Sequence, residues 1–223
     1  MKSSEYFKKI EKKILGQLNS LEYNEGYLNI EPKECDKNHF FEVVKIASEL
    51  WSENEPTEVP VALRIAALCH DIDRIYPKRQ VNTKDCTRED YASRKGVHSG
   101  NCALIFSEIN SDLPRELLQD CCFLILRHEL GGDKNKEMNL LDKRDDFTQK
   151  YNLHLAANYL FYADKLSFFY SNINEYKKRG KERLMSKIEF SLKGLPSKIK
   201  NKIFELKFED DLINECLNKL NNP

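Results

Sequence analysis

The chain has 223 residues, enough for one domain with a substantial core, or one domain with a small appendage. Its 36 Lys and Arg residues balance 36 Asp and Glu residues, so the overall charge does not favour nucleic acid or an anionic membrane as a partner. No stretch reaches the roughly 18 apolar residues of a membrane span, and the amphipathic start lacks an apolar signal region. We therefore expect a cytoplasmic protein, whose seven scattered cysteines are reduced and mostly fill the core.

Apolar residues recur at helical spacing along nearly the whole chain, and strand signals are absent. Before a charged surface excursion that ends near residue 150, the pattern predicts helices over 5–20, 36–52, 60–74, 96–110 and 113–130. The second of these opens with Asp36 or Asn38 as its cap. After the excursion it predicts helices over 151–176, 180–193 and 208–220, with "GLPSKIK" at 194–200 as a separator.

The fold class predicted from this pattern is all-α, a single-domain helical bundle. Residues 1–29 are expected to form an N-terminal helix packed on the core. The core itself is assigned to residues 30–176, and residues 177–223 form a helical extension of the same domain.

Helical spacing also predicts which polar side chains face the interior. His39, for example, is followed at 4, 7 and 11 positions by Val43, Ile46 and Leu50. The same spacing argument turns four further groups inward, with Asp71 beside the first of them: His70, His98, His128 and Asp164.

Buried carboxylates among apolar helices require compensating positive charge, because an unpaired buried charge costs several kcal/mol. Imidazoles and carboxylates together are the usual ligands of Fe, Mn or Zn, and six ligands around a shared Asp suit two ions. A hydrogen-bonded core role is the alternative for any single histidine. A single-ion site, with His98 and His128 on a substrate phosphate, is the alternative for the set.

The ordered series resembles the HD-domain superfamily of metal-dependent phosphohydrolases, in the variant with two extra histidines between the HD doublet and the last Asp. The resemblance covers roughly residues 30 to 175 and includes the local contexts "AALCHDIDR" and "YADKL". It implies two divalent ions, Fe or Mn first and Zn, Co, Ni or Mg as alternatives, with a bridging hydroxide as nucleophile. One ion would be held by His39, His70, Asp71 and Asp164, and the second by Asp71, His98 and His128.

The resemblance also assigns roles to charged residues near these ligands. Arg74 matches the Lys or Arg of the family pattern HD-x-x-K and is expected to stabilise phosphate charge. Asp73 stands where the family commonly has a small residue, and is expected either to pair with Arg74 or to act as a general acid. The weaker candidates for substrate binding are Lys95, Arg127 and Lys165. His154 lies outside the pattern and is expected at the surface or behind the ligands.

The function implied by the resemblance is hydrolysis of a phosphate ester or anhydride of a small molecule, with a nucleotide or dinucleotide as substrate. The bacterial symmetrical diadenosine tetraphosphate hydrolases have a similar ligand order, and the longer segment 129–163 would then form a specificity lid. Two alternatives stay open: a mixed-valent diiron oxygenase with the same ligand order, and a non-catalytic nucleotide-binding module. Neither a membrane nor nucleic acid is expected as a partner, and the sequence leaves open a homo-oligomer.

Overall fold

The computed structural model describes residues 3–20, 32–76, 95–132 and 152–221. Within these ranges all regular structure is helical, which confirms the all-α class. The helices are α1 Ser3–Ser20, α2 Pro32–Asn54, α3 Val61–Cys69, α4 Lys95–Ile109, α5 Arg115–Arg127, α6 Leu153–Ser167, α7 Ile173–Lys177, α8 Lys181–Leu192, α9 Ser197–Phe204 and α10 Asp211–Asn221. A 3-10 turn, Ile72–Ile75, follows α3, and a π turn, Phe168–Asn172, joins α6 to α7.

Helix α3 is the centre of the bundle, since α1, α2, α5 and α6 all pack against it. Every residue from Ala62 to Cys69 except Arg64 is buried. A helix that is apolar nearly all round can be stable only when it is covered on all sides. The residues that directly follow Cys69 therefore lie in the interior of the bundle.

The predicted helix 60–74 is divided in the structure. Helix α3 ends at Cys69, and Asp71 adopts φ −111° and ψ 30°, outside the helical region, before the 3-10 turn begins. This break lets His70 and Asp71 occupy the buried end of α3 while the chain turns away.

Two other expectations about helix bounds are wrong. Helix α2 begins at Pro32, so Asp36 lies inside its first turns instead of capping it. The separator 194–200 contains the start of α9, because Pro196 precedes the helix and Ile199 and Ile203, one turn apart, are buried.

The long predicted helix 151–176 continues to Lys177 but is interrupted by the π turn directly after α6. The hydroxyl of Ser171 donates to the carbonyl oxygen of Ser167 at 2.8 Å within this turn. Such turns often occur at functional sites. None of the helices in the described ranges combines the length and apolar character that a bilayer crossing needs.

Candidate metal centre

The structure brings the six predicted ligand side chains together where α2, α3, α4, α5 and α6 meet. His70 and His128 directly follow the last residues of α3 and α5. The other four are His39 on α2, Asp71 directly after α3, His98 on α4 and Asp164 on α6.

A first set of donor atoms comes from His39, His70 and Asp164, and one oxygen of Asp71 adjoins it. The Nε2 atoms of His39 and His70 lie 3.1 Å apart, and Asp164 Oδ1 lies 3.4 Å from each of them. Asp71 Oδ2 lies 3.4 Å from His39 Nε2 and 3.6 Å from His70 Nε2. Ligands about 2.1 Å from one ion lie about 3.0 Å apart at right angles and about 3.4 Å apart in a tetrahedron. The donor atoms of His39, His70 and Asp164 therefore have the spacing of ligands of a single cation, and Asp71 Oδ2 adjoins two of them.

A second set uses the other oxygen of Asp71. Its Oδ1 lies 2.8 Å from His98 Nε2 and 3.7 Å from His128 Nε2, and one donor atom of each residue lies within 4.8 Å of the others. The two oxygens of one carboxylate thus face two different groups of histidines. A carboxylate that contacts both groups is what two adjacent ions would require.

The imidazoles are oriented by hydrogen bonds on their far sides. His70 Nδ1 lies 2.8 Å from the carbonyl oxygen of Ala67, and His128 Nδ1 lies 2.7 Å from that of Ile125. A carbonyl can only accept, so Nδ1 carries a proton and Nε2 is the nitrogen that would ligate a cation.

Ser167 orients His39 in the same way, and the sequence analysis did not single it out. Its hydroxyl donates to the carbonyl oxygen of Asp164 at 2.6 Å, which leaves its oxygen to accept from His39 Nδ1 at 3.0 Å. Its position one helical turn after Asp164 is the signal that could have identified it.

Arg74 lies at the edge of the site and links two carboxylates. Its Nη2 contacts Asp71 Oδ2, and its Nη1 lies 3.4 Å from Asp36 Oδ1. The Arg74 side chain is 45% exposed, whereas that of Asp71 is 4% exposed. Asp36, expected only as a cap, therefore helps to place the guanidinium.

The buried groups are held mainly in the ionisation states that a metal needs. Burial lowers the pKa of His39, and it lowers the pKa of His128 to about 4, so both imidazoles are neutral at pH 7. Burial alone would raise the pKa of Asp71, but the charges of Arg74 and His70 keep that pKa well below its usual range. Burial would also raise the pKa of Asp164, but the hydrogen bond with His70 and the charges of the neighbouring imidazoles together lower it.

Two imidazoles shift the other way because carboxylates adjoin them. Burial opposes the change, yet the charge of Asp71 raises the pKa of His70, and hydrogen bonds to Asp71 and Asp73 raise that of His98. Without a bound cation, these imidazoles supply positive charge between the carboxylates, as burial of the carboxylates requires.

The remaining predicted substrate contacts lie in different surroundings. Arg127 is buried, and its Nε donates to the carbonyl oxygen of Gly131 at 2.8 Å. Lys165 Nζ donates to the carbonyl oxygen of Phe190 at 2.9 Å and lies over the ring of Phe161. Substrate binding by either residue stays a prediction. The side chain of Lys95 lies outside the described residues.

Three further expectations concern the segment 129–163, Asp73 and His154. Most of the expected lid over 129–163 lies outside the described residues. Asp73 Oδ2 is 2.8 Å from His98 Nδ1, and with Cys102 these residues form a further group of donor atoms within 4.8 Å. The His154 ring packs edge-on against Phe123, with ring centroids 5.3 Å apart.

Comparison with known proteins yields one finding. The family model described as HD domain matches residues 37–168, more than half of the chain, and the matched range includes all six ligand candidates as well as Arg74. No curated protein and no solved structure shows a significant match.

Proposed function

The chain belongs to the HD-domain family, and from this premise we propose that it is a metal-dependent phosphohydrolase with two divalent ions. The observation that carries the proposal is the placement of Asp71. One of its oxygens adjoins His39 and His70, and the other adjoins His98 and His128. Asp164 completes the first set. Fe and Mn suit this mixture of nitrogen and oxygen donors, as do Zn, Co, Ni and, less well, Mg.

When bound, such ions lower the pKa of a coordinated water and stabilise the charge of an in-line phosphoryl displacement. The residues of this chain hold and orient the participants. His39, His70 and His128 are buried, while the side chains of His98 and Asp164 are 28% and 30% exposed. A substrate would therefore approach from the side of His98 and Asp164.

Arg74 is the residue that we assign to the substrate. Its half-exposed guanidinium already lies against Asp71, so a phosphoryl group beside the ions would come within its reach. Arginine binds two phosphate oxygens at once, which aligns the group and offsets charge that develops during its transfer. Asp36 holds the other guanidinium nitrogen and limits its motion.

The substrate class that we propose is a phosphate ester or anhydride of a small molecule, with a nucleotide or dinucleotide as first choice. One guanidinium at the site edge suits a single phosphoryl group. The balanced charge of the chain offers no general attraction to a long polyanion such as nucleic acid.

The test combines elemental analysis with an activity screen. Protein purified without added metal is analysed for bound ions and then assayed on nucleotides and dinucleotides with Mn, Fe(II), Co or Mg. We expect metal-dependent phosphate release from one class of substrate. Oxygen consumption with a mixed-valent iron signal and no hydrolysis would identify an oxygenase instead. Tight nucleotide binding without turnover would identify a binding module.

A further inference from the structure

His98 is flanked by two carboxylates, one on each ring nitrogen. Its Nε2 lies 2.8 Å from Asp71 Oδ1, and its Nδ1 lies 2.8 Å from Asp73 Oδ2. The other three histidines of the site present Nδ1 to a neutral acceptor, a backbone carbonyl or a serine hydroxyl. A carboxylate acceptor therefore distinguishes His98 within the set.

Asp73 is energetically unfavourable at its position in the fold. It is only 8% exposed, and its Oδ1 is buried without a hydrogen-bond partner. The 3-10 turn that carries it is fixed from α1, because Gln17 Nε2 donates to the carbonyl oxygen of Ile75 at 2.9 Å. A buried carboxylate with one unpaired oxygen destabilises the fold by itself. Its contact with His98 therefore indicates a role that compensates for this cost.

We propose that Asp73 is a positioning residue that sets the affinity of the second ion through His98. The inference rests on the proposed two-ion site. By accepting the Nδ1 proton, Asp73 fixes the ring so that Nε2, which faces Asp71 and His128, is the nitrogen available to an ion when one binds. Its negative charge makes that nitrogen a stronger donor than the histidines that face neutral acceptors. The second ion position therefore differs from the first in the donor strength of one of its histidines.

A direct ligand role for Cys102 is the competing explanation. Its Sγ lies 3.9 Å from His98 Nδ1, one helical turn along α4, and the side chain is fully buried. A thiolate there would add a third buried negative charge to Asp71 and Asp73. The 2.8 Å separation of Asp73 and His98 is that of a shared proton, and Asp73 therefore acts on His98 as an acceptor.

The experiment titrates metal-free protein with Co(II), following heat, visible absorption and bound metal per chain. Wild type is compared with Asp73→Ala, Asp73→Asn and, as a matched control on the same face of His98, Cys102→Ala. We expect wild type and Cys102→Ala to bind two ions. We expect Asp73→Ala to keep the first ion and to bind the second 10- to 100-fold more weakly, with Asp73→Asn between them because its amide oxygen still accepts.

Each outcome decides the inference. Equal second-ion affinity in wild type and Asp73→Ala would overturn it and leave the two-ion proposal intact. A wild-type protein that binds only one ion would overturn both this inference and the two-ion proposal. A thiolate-to-cobalt charge-transfer band that disappears in Cys102→Ala would make Cys102 a ligand and refute the positioning role. If Asp73→Ala does not fold, the isosteric Asp73→Asn decides, since unchanged second-ion affinity there would also overturn the inference.

Discussion

Arg74 contacts Asp71 through Oδ2, the same carboxylate oxygen that lies 3.4 Å from His39 Nε2. The only cationic side chain assigned to the substrate therefore adjoins the only carboxylate assigned to both ions. Its 45% exposure leaves the guanidinium reachable from solvent, so it can exchange Asp71 for a phosphate without moving through the core.

Replacing Arg74 by Ala should weaken turnover while leaving metal content near that of wild type. Loss of a guanidinium that meets the transferring phosphoryl group costs roughly 2 to 4 kcal/mol in kcat/KM. Steady-state kinetics on the substrate found by the screen, with elemental analysis of the same preparation, measures both. Arg74→Lys keeps the charge and should lose less. Unchanged kinetics in Arg74→Ala would remove the residue from the site.

Replacing Asp71 by Ala should release both ions and abolish turnover, because each of its oxygens serves a different set of histidines. Asp164→Ala is the matched control, since Asp164 adjoins only the first set. We expect that control to lose the first ion and to retain binding at the second. Bound metal per chain and circular dichroism distinguish ion loss from unfolding. Full metal content in Asp71→Ala would refute the bridging assignment.

Replacing Ser167 by Ala should weaken binding of the first ion by roughly 10- to 100-fold, because His39 loses the acceptor that orients its ring. Ser171→Ala is the control, because Ser171 lies in the π turn and its hydroxyl donates to the carbonyl oxygen of Ser167, the last residue of α6. Competition with a chelator gives the affinity of each variant. Equal losses in the two variants would mean that the π turn matters and the Ser167 hydroxyl does not.

Removing the ions should destabilise the fold. Asp71 is almost fully buried among imidazoles and the Arg74 guanidinium, and a cation bound only by the folded state adds to the free energy of unfolding. The expected gain is about 2.7 kcal/mol at a free metal concentration 100 times Kd. Urea unfolding of chelator-treated protein, with and without added Mn, measures it. A midpoint independent of Mn would contradict a structural contribution from this centre.

The helical class and most helix positions could be predicted because apolar periodicity records which face of each helix is buried. Helix α8 follows its predicted bounds closely. Helix α9 is not predicted because "GLPSKIK" contains Gly and Pro, which favour a separator, although Ile199 and Ile203 stand at helical spacing and are buried. The end of α3 at Cys69 was missed for a different reason, since Asp71 leaves the helix to meet partners that are distant in sequence.

The site shows the same contrast between what helical spacing predicts and what it does not. Helical phase could assign an inward direction to His39 or Asp164, but it carries no information about hydrogen bonds between elements. The contacts of Ser167 with His39, of Asp36 with Arg74, and of Asp73 with His98 each join residues that are far apart in sequence or lie on separate elements. Adjacency in the chain made Arg127 and Lys165 candidates, and the structure adds that the side chain of each donates to a backbone carbonyl.

By itself, the sequence determined that the chain is helical, which residues face inward, and that histidines and acids in the HD order occur among them. These are local properties, because they depend on the period of the helix and the chemistry of each side chain. Only the tertiary structure decided that the two oxygens of Asp71 face different histidines and that His98 lies between two carboxylates. Those relationships depend on how separate helices meet around α3, and no spacing along one helix encodes them.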